Sequence, residues 1–358
     1  MRNFSYLSVS LILFLILTIN VTAYSIINMH EHIQSINEAD KLIKAMDENN
    51  ISITVLLGSP KQTLYFKGGF SGYDENNEEL LKIKKAYPDR FIIFVTINPV
   101  DFDKLEKLER YVEDGAVGLK LYTGHTLFYN LSLDNPAMDE VYMYSENNDI
   151  PIVWHVNPYY YQEGFENVLK KYPKLKVICP HFCLSSINDE RLRYLLDAYP
   201  NLYVDISFGY DPYAEDGFKR VSKNSEKFRD IFTKYQDRFL FGTDNVITNH
   251  PKKDLRWISN FSKCYKDMLE KESYSCFLID ETLNGLNLDK ETLKKIYKDN
   301  PEKFLGIDSK RNTELKNKKE GTNPFLIILL FLIIIFISFF YFVNKKKRRF
   351  KHSLAKTK

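Results

Sequence analysis

The chain has 358 residues, enough for one large domain or two ordinary ones. Nine of its 50 bases lie at the ends, Arg2 and eight in 344–358, which leaves 24–323 mildly acidic with 41 bases against 47 acids. That balance argues against nucleic acid as a partner. Four cysteines are too few for a disulfide scaffold, so an apolar core must hold the fold.

Residues 1–23 carry Arg2, an apolar run from Leu11 to Ile19, and then Val21-Thr22-Ala23, small residues at a spacing that a signal peptidase accepts. The segment reads as a cleaved signal peptide or, counted more loosely, as an uncleaved signal anchor. From residue 24 onward, short apolar runs alternate with helical patterns. The runs expected as strands are Ser25–Met29, Ile51–Leu57, Phe91–Ile97, Val117–Tyr122, Pro151–His155, Lys176–Pro180, Leu202–Ile206 and Arg238–Phe241. Most are continuously apolar, as parallel strands covered on both faces are.

Between them, Asn37–Asn49, Glu78–Tyr87, Asp101–Glu113, Ala137–Asn147, Gly164–Tyr172, Asp189–Tyr199 and Glu226–Tyr235 carry helical spacing, and three of these end at Tyr-Pro. Eight strands interleaved with helices predict a (β/α)8 TIM barrel over 24–307, with an open doubly wound sheet as the alternative. A charged linker follows at 308–323. Residues 324–343 form an uncharged run of 20 residues, the length a transmembrane helix needs. The basic tail 344–358 then places the C-terminus in the cytoplasm. The expectation is a single-pass protein of the cell membrane whose barrel lies outside the cytoplasm. Sequons at Asn50, Asn130 and Asn260 add weak support for export. Of the cysteines, Cys264 and Cys276 are spaced to close a disulfide, whereas Cys179 and Cys183 read better as small buried residues.

In a barrel, chemistry collects where strands end. His30 and His32 close the first strand two residues apart, so they face the same way and can share one metal ion. His155 ends the fifth strand and His181 follows the sixth. Asp244 follows the eighth, and Lys120 lies inside the fourth. Four of the seven histidines thus fall on one expected rim. A single one is ordinarily a core or surface residue; the set points to a metal site.

His30-Glu31-His32, His155, His181 and Asp244 in this order resemble the amidohydrolase superfamily. More narrowly, the chain is similar to the amidohydrolase-2 branch, which includes aminocarboxymuconate-semialdehyde decarboxylase. Gly118-Leu119-Lys120, Pro151-Ile152-Val153-Trp154-His155, Leu240-Phe241-Gly242-Thr243-Asp244 and Asn300-Pro301-Glu302-Lys303-Phe304-Leu305-Gly306 carry the resemblance across 26–306. It implies a divalent metal held by His30, His32, His155 and Asp244, with Zn2+ the first choice and Mn2+ or Fe2+ as alternatives. It implies His181 as general acid/base, and Asp244 as both ligand and proton acceptor. The implied reaction on a small molecule is hydrolysis or non-oxidative decarboxylation, with hydrolysis preferred.

Lys120 has three readings: a contact to a substrate carboxylate, a carboxylated bridge between two metals, or structure. His125 either touches substrate or lies on the surface. Tyr159, Tyr160 and Tyr161 form a pocket wall or an exposed loop. Two departures from the family stand out: Asn28 where relatives often have an acid, and Phe182-Cys183-Leu184 in place of a glycine-rich turn. A rival from another class is an inactive barrel that binds a partner at the cell surface, and metal content separates the two. Homodimerisation is left open.

Overall fold

The computed structural model describes residues 25–128 and 131–307. Its main sheet is built from β1 (Ile26–Ile33), β2 (Ile51–Leu57), β3 (Phe91–Thr96), β4 (Gly118–Gly124), β5 (Ile152–Val156), β6 (Val177–Cys179), β7 (Leu202–Asp205), β8 (Phe239–Leu240) and β9 (Asn245–Ile247). Strands β1 to β7 each pair in parallel with the next in sequence, and β9 pairs with β1. The eighth barrel strand is therefore split: its first part joins β7, its second joins β1, and the sheet curls closed. The Met29 N–H donates to the Phe241 carbonyl and the Asp244 N–H to the His30 carbonyl, both at 2.8 Å, across the seam. The expected barrel is formed.

Strand alternation sorts the core into two layers. Ile27, Met29, Val55, Leu57, Phe94, Val153, Ile178, Tyr203 and Leu240 fill the barrel interior. Their neighbours, such as Leu56, Val95, Leu119, Trp154, Val177 and Val204, face outward beneath the helices. The helix Asp189–Ala198 shows how that outer layer is covered. Asn188 caps it by accepting the Arg191 N–H, acids occupy its first turn, and Leu192, Leu195 and Leu196 form its buried face. Each leucine taken from water contributes roughly 1.5–3 kcal/mol.

The structure extends the expectation in several places. The first strand runs on through both histidines to Ile33. Helices at Asp211–Lys223 and Leu255–Glu270 and a hairpin of β10 (Ser273–Cys276) and β11 (Ile279–Asn284) are additional. Cys264 and Cys276 are joined as expected, fastening that long helix to the hairpin. Cys179 and Cys183 are buried, as read from the sequence, and they are also bonded to each other, a pairing that the sequence reading did not name. A tight turn brings their Cα atoms to 4.7 Å. No helix among the described residues is long and apolar enough to cross a membrane. The signal segment, linker, membrane run and basic tail lie outside the described residues.

Candidate metal centre

A bulge aims the first two histidines. In β1, Asn28 pairs with Thr54 but Glu31 with Leu56, so β1 carries one residue more than β2 over that stretch. Alternation would turn His30 and His32 outward after Ile27 and Met29. The extra residue flips the strand, and both rings point into the barrel mouth. Asp244 reaches them from the break in the eighth strand, where its own backbone is left-handed (φ 52°). His30 Nε2 lies 3.0 Å and His32 Nε2 3.1 Å from Asp244 Oδ1, and the two imidazole nitrogens are 3.2 Å apart.

The far side of each ring is anchored. His30 Nδ1 bonds Asp205 Oδ2 at 2.6 Å, and His32 Nδ1 bonds Ser59 Oγ at 2.7 Å. With Nδ1 engaged as a donor, each ring in its neutral form presents its Nε2 lone pair toward the other and toward a carboxylate. Three acceptors this close repel unless a positive charge, either a proton on His30 or a metal ion, lies among them. These residues therefore fit a divalent metal, and His30, His32 and Asp244 form a group whose ligand atoms all lie within 4.8 Å of one another. Burial disfavours charge on His30, yet Asp244 and Asp205 overcome it and raise its pKa to about 9. Burial wins at His32, whose pKa falls to about 4. Burial would raise the Asp244 carboxyl, but His30 holds it well below the usual range.

Asp205, at the end of β7, was missed by the sequence reading. It is fully buried, bonds His30, and through Oδ1 accepts the His181 N–H at 2.9 Å and the Ser207 hydroxyl at 2.6 Å. Ser207 Oγ in turn bonds His181 Nδ1 at 2.8 Å. One carboxylate thus orients both a metal-ligand candidate and the proton-transfer candidate. The signal was present: Leu202-Tyr203-Val204-Asp205 puts a carboxylate at a strand end, as at Asp244. Glu31, on the opposite face of β1, accepts from Thr243 and Asn245 and braces the split strand from behind. Burial raises its pKa to about 7.

His181 points its Nε2 at Asp244 Oδ2 from 3.7 Å. It does so from an unusual backbone: His181, Phe182, Cys183 and Leu184 all have positive φ, from 47° to 60°. Each non-glycine residue held there costs about 1–2 kcal/mol. His155 lies outside the trio, its ring centroid 5.0 Å from His181 and 4.3 Å from His125. His125 therefore faces the site, and burial lowers its pKa to about 4. Lys120 is buried at the same level, with no carboxylate within 4.0 Å of its amine among the described residues. Burial brings its pKa down to about 8, against the pull of Asp244 and Asp205. Tyr159 and Tyr160 are exposed at the start of the helix Pro158–Lys171.

Residues 27–307 match the family model described as Amidohydrolase. The chain belongs to that family. No curated protein sequence matches this amidohydrolase. Among solved structures, a probable 2-pyrone-4,6-dicarboxylic acid hydrolase from Acinetobacter baumannii, with citric acid bound, is 15% identical with a TM-score of 0.54, covering 79% of this chain and 100% of its own. A 4-oxalomesaconate hydratase from Rhodopseudomonas palustris is 17% identical, TM-score 0.51, covering 82% and 99%. A 5-carboxyvanillate decarboxylase from Novosphingobium aromaticivorans, complexed with manganese and a nitrobenzoic acid, is 16% identical, TM-score 0.50, covering 80% and 97%. At these identities the likeness is one of fold. The family supports a metal-dependent enzyme of small molecules.

Proposed function

We propose that this amidohydrolase hydrolyses a small carboxylic acid, such as a lactone or amide bearing a free carboxylate, with decarboxylation of such an acid as the second reading. The observation that carries the metal-dependent reading is the trio of His30, His32 and Asp244, each ring fixed from behind and each acceptor turned inward. His155 completes the proposed ligand set from β5. A bound divalent ion, with Zn2+ preferred to Mn2+ or Fe2+, supplies Lewis acidity and lowers the pKa of a water molecule toward neutrality.

The protein's own groups do the rest. Lys120 offers a buried ammonium without a partner carboxylate, which suits a substrate anion. His125 lines the approach beside His155. Burial keeps His181 largely neutral, since its pKa is lowered, so it can take up a proton and return it to the leaving group. Ser207 and Asp205 fix its orientation. The three solved neighbours named above, by their descriptions, all concern carboxylates, and this agrees with the role given to Lys120. The second reading, decarboxylation, needs a substrate with two carboxylates: Lys120 would hold one, and the other would leave as CO2 with a proton taking its place on carbon.

The setting belongs to the proposal too: a barrel held at a membrane by 324–343, outside the cytoplasm. Two disulfides and no free cysteine among the described residues support an oxidising compartment. The test is metal analysis of the full-length protein beside the His30→Ala/His32→Ala variant. One ion per chain, or two if Lys120 is carboxylated, lost in the variant, supports the reading and licenses a screen of lactones, amides and aromatic acids. A folded wild type that takes up neither Zn2+ nor Mn2+ overturns it and leaves the surface-binding alternative.

A further inference from the structure

By alternation along β6, Ile178 and Pro180 face the barrel axis and His181 should face outward. It does not, because the chain leaves the strand through four successive left-handed residues, His181 to Leu184. Glycine normally occupies such positions, since it carries no side chain to clash with the following carbonyl. None of the four is glycine. Something else must hold the turn, and the Cys179–Cys183 bond is placed to do so. Cys179 is the last residue of β6, fixed by its pairing with Val204. Cys183 is the third residue of the turn. The bond ties the turn back to the sheet across Pro180, His181 and Phe182, the stretch in which the His181 ring comes to face Asp244 while Phe182 packs outward against Phe228 and Phe232.

We propose that the Cys179–Cys183 disulfide is the positioning element for His181, replacing the conformational freedom of glycine with a covalent tie, and that the site is assembled only in the oxidised protein. The proposal rests on the reading of His181 as a proton-transfer residue. Reduction by a dithiol breaks the Sγ–Sγ bond. The dithiol gives two electrons and two protons, the protein gains two thiols, and the reductant closes into its own disulfide. Freed of the tie, the turn relaxes toward ordinary backbone angles. His181 then leaves Asp205 and Ser207, and Asp205 loses one of the hydrogen bonds that hold it against His30. Both cysteines are fully buried, so thiols reach them only when the turn opens.

The test is hydrogen–deuterium exchange of peptides spanning 177–187 in the full-length protein without added metal, with Zn2+ affinity measured in parallel. Four samples are compared: wild type, wild type in dithiothreitol, Cys179→Ala/Cys183→Ala, and Cys179→Ala/Cys183→Gly. Reduced wild type and the double alanine variant are expected to exchange at 181–184 about tenfold faster than wild type. They should also bind Zn2+ about tenfold more weakly, the scale of losing an outer-shell partner. The glycine variant is expected to recover most of the protection and affinity and to ignore dithiothreitol. A disulfide that merely adds stability would not be replaced by glycine at one position.

Cys264→Ala/Cys276→Ala, treated alike, separates the second disulfide and should still respond to reductant. Unchanged exchange at 181–184 in reduced wild type, its thiols confirmed by alkylation, overturns the proposal. So does a folded glycine variant that behaves like reduced wild type. Should the double alanine variant not fold, the reduced wild type and the glycine variant still decide. Because exchange is read without metal, failure of the metal-dependent reading would appear as absent Zn2+ binding in every sample and leave the exchange comparison intact.

Discussion

Between His30 and Asp244 a proton does, in the bare protein, what a cation would do. With a pKa near 9, His30 is protonated at neutral pH, donating to Asp205 on one side and meeting Asp244 on the other. A metal ligand must be neutral, so an arriving ion has to expel that proton. His32, with its pKa near 4, has none to lose over the same range. Uptake at pH 7 is therefore expected to release about one proton per ion. Apparent affinity should rise about tenfold per pH unit until His30 deprotonates unaided, then level off. Calorimetry in two buffers of different ionisation enthalpy measures this directly, and a proton count of zero would contradict it. Replacing Asp205 with Asn, which removes the charge behind His30, should lower metal affinity about 10–100-fold while the fold persists. Lys120 gives a prediction of opposite character. Its pKa falls from 10.5 to about 8 in the folded chain, so between those values the unfolded chain holds a proton that the folded one has lost. Stability thus rises with pH across that window, and the full penalty applies below pH 8. Lys120→Met should be more stable than wild type at pH 7 by about 3 kcal/mol, with the gain vanishing above pH 10.5. Denaturant melts at three pH values check it. The same variant should lose turnover of a carboxylate substrate, the trade between stability and function expected of an active-site charge.

At the scale of elements, three departures from regular strand build the site: the bulge in β1, the break in the eighth strand, and the left-handed turn after β6. The regular parts were legible in the sequence. Apolar runs such as Phe91–Ile97 marked the strands, and the histidines at their ends marked the rim. The departures were not, because each depends on a distant partner. The bulge is a mismatch against β2, the break at Asp244 is fixed by bonds to β1, and the turn depends on a cysteine pair whose bonding has no sequence signature at that spacing. Asp205 was legible as a carboxylate at a strand end, but its role depends on His30 and His181, which the fold brings to it from other strands. The long helix Leu255–Glu270 also shows its period, in Ile258, Phe261, Tyr265 and Met268. One glycine tests how tightly these departures are fitted together. Gly209, just beyond β7, has φ of 78°, and a Cβ there would lie 2.9 Å from Asp244 Oδ2. Gly209→Ala meets both a strained backbone and a crowded carboxylate. A destabilisation of about 1–3 kcal/mol is expected from the backbone. Metal affinity should also fall, because Asp244 must give way. A variant whose melting temperature drops while its metal binding stays unchanged would show that Asp244 has more room than the structure gives it.

Across the whole molecule, the barrel divides its labour between its two ends. The metal-ligand and proton-transfer candidates lie at the carboxyl ends of the strands, with Lys120 reaching toward them from within β4. The opposite end is closed by the last described helix, Asn300–Leu305. Asn300 ties it on by donating to the carbonyls of Gln236 and Phe239, at 2.7 and 2.9 Å. Phe304 then enters the barrel floor beside Ile27 and Tyr203, with its ring 5.1 Å from that of Tyr203. The motif Asn300-Pro301-Glu302-Lys303-Phe304-Leu305-Gly306, noticed in the sequence only as a family likeness, thus has a physical role: it plugs the bottom of the barrel. If the two ends are energetically separate, a cavity made in the plug should weaken the fold and spare the site. Phe304→Ala removes a fully buried ring, a change that typically costs about 3–5 kcal/mol. Its effects should add to those of a change at the rim, because residues so far apart share no partner. The expected outcome is a lower denaturant midpoint with the metal stoichiometry and affinity of wild type, measured at a denaturant-free temperature well below the transition. Loss of metal binding in the folded Phe304→Ala protein would show instead that the floor sets the position of β1 and β8, and hence of His30, His32 and Asp244, through the closed sheet.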